Sequence, residues 1–357
     1  MKTAIIGLPQ VGKTSLFTIL TGVKEEARIG SMATRVGVAK VPDARVDALA
    51  ALFQPPKVTH AVVEYLDTPA ISKEALRDPQ FLASLRVVDA FAHVLRIFDD
   101  PAVAHEAGSV DPLRDLENVE LELMLSDLVV LEKRLERLDK DRKKMKAPEL
   151  DHEFEVLTRA KALLEANQPL RQMELSPEDE KRIRGFQFLS QKPMLYVLNL
   201  GEADAARLHE IEEQYRTGPL AGRKHTAVTA VCGKIEAELA ELSGEDAREY
   251  LASYGLSESA LERLITATYA LLGLMSFLTA GEDECRAWTI PANSPAVKAA
   301  GAIHTDFEKK FIRAEVVNWK TLIDHGGYSG ARDKGLLRLE GKDYIVRDGD
   351  VLSIRHG

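Results

Sequence analysis

A chain of 357 residues is too long for one ordinary core, and 45% apolar with 29% charged residues is the balance of a globular protein rather than a disordered one. A formal charge of −9 excludes a surface that is basic all over, so any contact with nucleic acid must be local and none with DNA is expected. Two cysteines, Cys232 and Cys285, exclude a cysteine metal cluster and a disulfide framework, and the short stretch before the first glycine leaves no room for a signal peptide, so the cytoplasm is the expected compartment.

Strand-like and helix-like stretches alternate from residue 2 to about 100: apolar 3–7, a helix from Lys13, strands at 36–41, 61–66 and 91–97. After Lys192 the pattern resumes with 195–199 and 226–231, both apolar and ending in polar residues. These stretches predict one α/β domain with a mostly parallel sheet, helices on both faces, and an interruption in its middle.

The first turn of that domain carries chemistry. Gly7 and Gly12-Lys13-Thr14 stand in the spacing G-x-x-x-x-G-K-[ST], after an apolar strand and before an apolar helix start, which is the context a phosphate-binding P-loop requires. Pro9, Gln10 and Val11 fill the loop and Ser15 follows it, so their backbone N–H groups can turn toward phosphates at a helix N-terminus. Lys13 is expected to reach the β- and γ-phosphates as the catalytic cation, and the Thr14 hydroxyl to ligate Mg²⁺. Asp67 ends the strand at 61–66, where a carboxylate can hold that metal through water; read alone, Asp67-Thr-Pro69 is equally a turn.

Two later strand ends suit the base. Asn199, Leu200 and Glu202 stand where guanine-specific proteins carry Asn-Lys-x-Asp, with leucine for the lysine and a longer acid for the aspartate. The longer carboxylate need not reach the paired donors of guanine, and adenine has no N1–H donor, so a preference for guanine is weakened. Cys232, Gly233 and Lys234 follow the strand at 226–231 and can offer backbone N–H groups and a lysine stem to the base.

The interruption has its own period. Leu121, Met124, Leu128, Leu131, Leu135, Leu138 and Met145 recur at spacings of three and four, and Leu150, Phe154, Leu157 and Leu164 follow Pro148. Two antiparallel helices joined near 146–148 would bury both seams; two helices lying on the α/β core is the other arrangement. Lys140, Arg142, Lys143, Lys144 and Lys146 crowd the expected hairpin tip, as a solvated helix end or as a phosphate-contacting patch. Beyond 281, short strands at 286–290, 312–317, 337–339, 344–346 and 351–354, a helix-like 294–300 and glycine turns at Gly326-Gly327, Gly341 and Gly349 read as a small β-rich module.

With these residues in place, nearly the whole chain resembles the YchF family of Obg-related P-loop NTPases, the Obg-like ATPases. The likeness rests on Val110-Asp-Pro112 before the leucine-spaced helix, the stretch from Cys232 to Leu239, and above all the C-terminal strings 286–290, 300–308, 311–315 and 339–346. It implies a G domain at 1–112 and 190–280, a coiled-coil-like helical hairpin at 113–189 and a β-grasp TGS domain at 281–357. It also implies slow hydrolysis of ATP, or of GTP, with Mg²⁺, and association with the ribosome or its RNA. Family features change here: Gln10 replaces an asparagine, Ser31 stands for the switch I threonine that binds Mg²⁺, and the glycine-rich switch II stretch with its histidine is missing after Ala70. Ile71, at the water-orienting position, cannot polarise water. A nucleotide-binding scaffold with little turnover is therefore the competing expectation; a metabolic kinase lacks a recognisable acceptor pocket.

Overall fold

The computed structural model describes residues 1–23 and 34–357. The chain divides into two compact units, Met1–Val38 with Glu64–Ala267 and Ala39–Val63 with Thr268–Gly357. In chain order the elements are β1 (Lys2–Ile6), α1 (Lys13–Thr21), β2 (Arg35–Lys40), α2 (Ala44–Phe53), β3 (Lys57–Thr59), β4 (Val62–Asp67), α3 (Pro79–Arg86) and β5 (Ala90–Arg96). After these come α4 (Pro112–Lys144), α5 (Pro148–Glu165), α6 (Pro177–Ile183), β6 (Met194–Asn199), α7 (Leu208–Thr217), β7 (Thr226–Val231) and α8 (Gly233–Leu239). Strands β8 (Leu274–Thr279), β9 (Glu284–Pro291), β10 (Phe311–Asn318), β11 (Arg338–Glu340) and β12 (Asp350–His356) complete the labelled set.

In the first unit the strand order among the described residues is β2-β4-β1-β5-β6-β7. β1 runs parallel to β4 and β5, and β5, β6 and β7 continue in parallel. Every residue of β5 and β6 is buried, as befits mostly apolar strands covered on both faces, and this burial extends to His93, Arg96 and Asn199. The chain leaves β1 toward one side of the sheet and later builds the other side, so a crevice opens at the carboxyl end of β1, the usual ligand position in such sheets.

The interruption is a helical hairpin. Asp111 caps α4 by accepting the Arg114 amide and Pro112 takes the first helical position; Pro148 does the same for α5. At 33 residues α4 is about 50 Å long. Leu131, Leu138, Val156, Leu157 and Ala160 form the dry seam, with Leu128, Leu135, Leu150 and Phe154 at its margin. The expected seam fails at both ends: Leu121 is 42% exposed and Met145 61% exposed. Near its start α4 packs on β5, so its buried face turns to Leu116, Val119 and Leu123, and Met145 already lies past the helix. Asp127 fixes the base of the hairpin by accepting the amides of Leu189 (2.8 Å) and Ser190 (2.7 Å) and the Ser190 hydroxyl (2.7 Å).

The second unit has the strand order β11-β10-β12-β8-β9-β3 among the described residues. β10 pairs antiparallel with β11 and β12, β12 parallel with β8, and β8 antiparallel with β9, a β-grasp sheet. Its core gathers Phe277, Ile290, Ala296, Ala299, Val316 and Leu352. A boundary at 281 would cut this sheet between β8 and β9, and the module also takes in 39–63, whose strand β3 pairs with β9. Residues 344–346 do not form the expected strand; Ile345 makes only a bridge to Pro295. Gly326 and Gly327, with φ of 68° and 110°, join two short helices, Trp319–Asp324 and Tyr328–Asp333, rather than two strands.

Candidate functional site

The loop from β1 to α1 is shaped by close approach. A Cβ on Gly7 (φ 145°) would stand 2.7 Å from the Val94 carbonyl oxygen, and one on Gly12 (φ 97°) 2.5 Å from Asn199 Nδ2. Gln10, at φ 58°, takes the left-handed turn between them with its side chain exposed. Lys13 folds back over the loop, its Nζ donating to the carbonyls of Gly7 (3.1 Å) and Leu8 (2.6 Å). Burial pulls its pKa down to about 8, against the upward pull of Asp67 and Glu106.

Thr14 Oγ1 donates to Asp67 Oδ2 at 3.1 Å, which brings together the two expected metal-side groups. The same carboxylate oxygen accepts from Arg35 at 2.5 Å. A hydroxyl at the start of α1 and a carboxylate at the end of β4 are hard oxygen donors, so the set fits Mg²⁺, with Arg35 as the cation already on Asp67. Ser31 lies outside the described residues. Ile71 is buried at 3% exposure and its amide donates to the Gly7 carbonyl at 3.3 Å, so the residue is spent on anchoring the loop.

Asn199 is the pivot of the base side. Its Nδ2 donates to the Val11 carbonyl (3.0 Å) and its Oδ1 accepts the Gly233 amide (3.1 Å), tying the P-loop to the turn after β7. Lys234 and Glu202 face each other at 2.5 Å. A cavity of about 810 Å³ runs between these groups, lined on the phosphate side by Gln10, Gly12, Lys13, Thr14 and Ser15 and on the base side by Asn199, Leu200, Glu202, Gly233 and Lys234. Gly7, Pro9, Val11 and Cys232 are outside its lining; Val11 contributes only a carbonyl to the frame, and the Cys232 side chain is buried, with its thiol pushed up by desolvation.

One wall escaped sequence reasoning. Phe98, Asp100, Pro101 and Val103 line the cavity from the loop after β5. That loop is held by Arg96, 2% exposed, whose guanidinium donates to the carbonyls of Phe98, Asp100, Val103 and Ala104 at 2.9–3.3 Å and lies 4.5 Å from the Phe98 ring centre. The loop ends at His105, whose Nε2 meets Asp115 Oδ2 at 2.8 Å. An arginine closing a central strand whose only other polar residue is His93 was the available signal.

Comparison with known proteins agrees with this geometry. Residues 2–133 match a family described as 50S ribosome-binding GTPase, and residues 274–357 match a YchF GTPase C-terminal family described as a protein of unknown function. The chain is 40% identical to the ribosome-binding ATPase YchF of Bacillus subtilis, over 99% of each chain, and 39% identical to that of Haemophilus influenzae, over 99% of this chain and 98% of the other. The structure of the Schizosaccharomyces pombe YchF GTPase superposes with a TM-score of 0.86 at 29% identity, covering 99% of this chain and 97% of that one. With a P-loop, a helical hairpin and a β-grasp unit all matched from end to end, the chain belongs to the YchF family.

Proposed function

We propose that this chain is a slow nucleoside triphosphatase that takes ATP in preference to GTP and works in the cytoplasm in association with the ribosome. The observation that carries the nucleotide reading is Asn199, which ties the P-loop holding Lys13 and Thr14 to the base-side turn at Gly233 in a single cavity. Lys13 supplies positive charge to the outer phosphates, and the loop amides with the N-terminus of α1 supply the rest. Magnesium, when bound, would neutralise phosphate oxygens beside Thr14 and Asp67. Lys234 engages one oxygen of Glu202 and so competes with the paired acceptance that guanine requires, which supports ATP. Phe98 offers an apolar face to either base.

A scaffold with little turnover is the second reading, and the buried Ile71 favours it, because an isoleucine side chain cannot orient water. Single-turnover hydrolysis of γ-labelled ATP, with and without ribosomes, decides between them. Release of labelled phosphate by the parent and its loss in Lys13→Ala supports the enzyme; tight binding with the γ-phosphate left intact in both conditions supports the scaffold.

For the ribosome, the ribosome binding of the relatives and the hairpin tip are the support. The five basic residues there are not equal: Arg142 pairs with Asp151 at 2.5 Å and lies 4.2 Å over Phe154, and Lys143 pairs with Asp139 at 2.5 Å. Lys140, Lys144 and Lys146 remain as the candidates for phosphate contact. No helix among the described residues is long and apolar enough to cross a membrane.

A further inference from the structure

The same parallel strands that end at the nucleotide cavity begin at a second hollow. It lies at the amino ends of β5 and β6, about 20 Å along the strands from the P-loop end, and has a volume of about 630 Å³, within the range of small-molecule sites. The segment after the hairpin folds back over the core there, so Leu170, Met173, Leu175 and Phe188 form an apolar wall facing residues 86–89 and 192–193.

The other wall is cationic. Arg86, Arg184 and Lys192 line the hollow, and none of the three has an ion-pair partner among the described residues. Lys192 Nζ is held by the carbonyls of Arg86 (2.8 Å) and Val88 (2.6 Å), and burial lowers its pKa, the condition of a desolvated ammonium that an anion would relieve. Arg171 also lines the hollow at 2% exposure; it is matched by Glu120, yet its Nε has no hydrogen-bond partner among the described residues. The hollow also carries two carboxylates: Glu180, and Asp89, which accepts the Lys2 amide at 2.8 Å and pulls upward on the pKa of Lys192. Two lining residues that are not glycine, Gln187 (φ 50°) and His225 (φ 53°), hold left-handed backbone, a strain that tends to gather at binding sites.

We propose that this hollow binds a small organic anion, a phosphate or carboxylate carried on an apolar or aromatic body, independently of the nucleotide. The charged head would meet Arg86, Arg184 and Lys192 while the body lies along Phe188 and its apolar neighbours. Because its walls come from both the hairpin segment and the sheet, occupancy would favour whichever arrangement of the two closes the hollow.

The test uses the full chain carrying Lys13→Ala, which removes phosphate binding at the P-loop, titrated at low salt with phenyl phosphate and with benzoate by calorimetry. Saturable binding of either probe is expected, the tighter one identifying the head group. The additional pair Arg86→Gln and Arg184→Gln is expected to weaken it about tenfold or more, since each lost charge-assisted hydrogen bond is worth roughly a factor of ten. The same pair placed in the parent chain should leave ATP affinity unchanged, which also shows that the variant is folded. Absence of saturable binding by both probes, or equal affinity with and without the two arginines, overturns the proposal; neither result bears on the P-loop assignment.

Discussion

Lys13 sits between two demands. The loop must bury it to bring it over the phosphates, yet burial holds its pKa near 8 before any ligand arrives. A triphosphate stabilises the charged form, so binding takes up a proton once the free lysine begins to lose its own. ATP affinity is therefore expected to fall as pH rises through about 8, with proton uptake seen as a buffer-dependent heat in calorimetry. Affinity flat from pH 7 to 9.5 would contradict this. Arg35 imposes a second condition, because its guanidinium holds the Asp67 oxygen that a bound Mg²⁺ would take. Arg35→Gln is expected to lower the Mg²⁺ concentration for half-maximal nucleotide binding several-fold; an unchanged Mg²⁺ titration would remove Arg35 as a competitor. The placement of Gly7, Lys13 and Thr14 in the loop could be read from the sequence because it follows from local spacing, whereas the tie that Asn199 makes between Val11 and Gly233 could not. Arg96 and Phe98 could not, because their contacts arise only when the loop after β5 closes on itself. Glu202 was legible in identity but not in state, since its partner Lys234 is 32 residues away.

Among the elements, the hairpin shows how far a period can be trusted. Leu128, Leu131, Leu135 and Leu138 follow it because they share one apolar cluster with α5 and the segment after it, whereas Leu121 obeys the packing of α4 on β5 instead. Nothing in the leucine spacing identifies Asp127, one helix position among the leucines, as the tie to Leu189 and Ser190. Its carboxylate is almost fully buried and desolvation pushes its pKa up to about 6, the three donors notwithstanding. Asp127→Ala would orphan two buried amides and is expected to destabilise the first unit by about 2–5 kcal/mol, at roughly 1–3 kcal/mol for each unsatisfied group. Urea unfolding followed by circular dichroism measures this; a loss under 1 kcal/mol, itself about the worth of one ordinary hydrogen bond, would mean that the tie is dispensable.

For the whole molecule, acid is the informative variable. His93 is fully buried in β5 and both ring nitrogens lack partners among the described residues, so desolvation drives its pKa down to about 3. The unfolded chain takes up that proton near 6.5 and the folded chain refuses it until about 3, so stability is lost as pH falls between those values. Asp127 acts in the opposite sense: its folded pKa near 6 exceeds the unfolded 3.8, so its contribution grows as pH falls through that window. His93→Gln is expected to flatten the loss of stability between pH 6.5 and 4 even if its stability at pH 7 is lower. Parallel slopes for parent and variant in denaturant melts across that range would sink the assignment.

The path of the chain through the second unit has a consequence for biosynthesis. Thr59 Oγ1 donates to Glu284 at 2.6 Å across 225 residues of sequence, and among the described residues β3 pairs with β9 alone. At typical translation speeds, roughly 10–45 s pass between synthesis of the first partner and the second. Throughout that interval residues 39–63, including the apolar Val46 and Leu49 that end up buried, have been made without the strands that cover them. The nascent chain thus carries an unfinished seam for most of its synthesis, a natural foothold for a chaperone that shields it until β9 arrives.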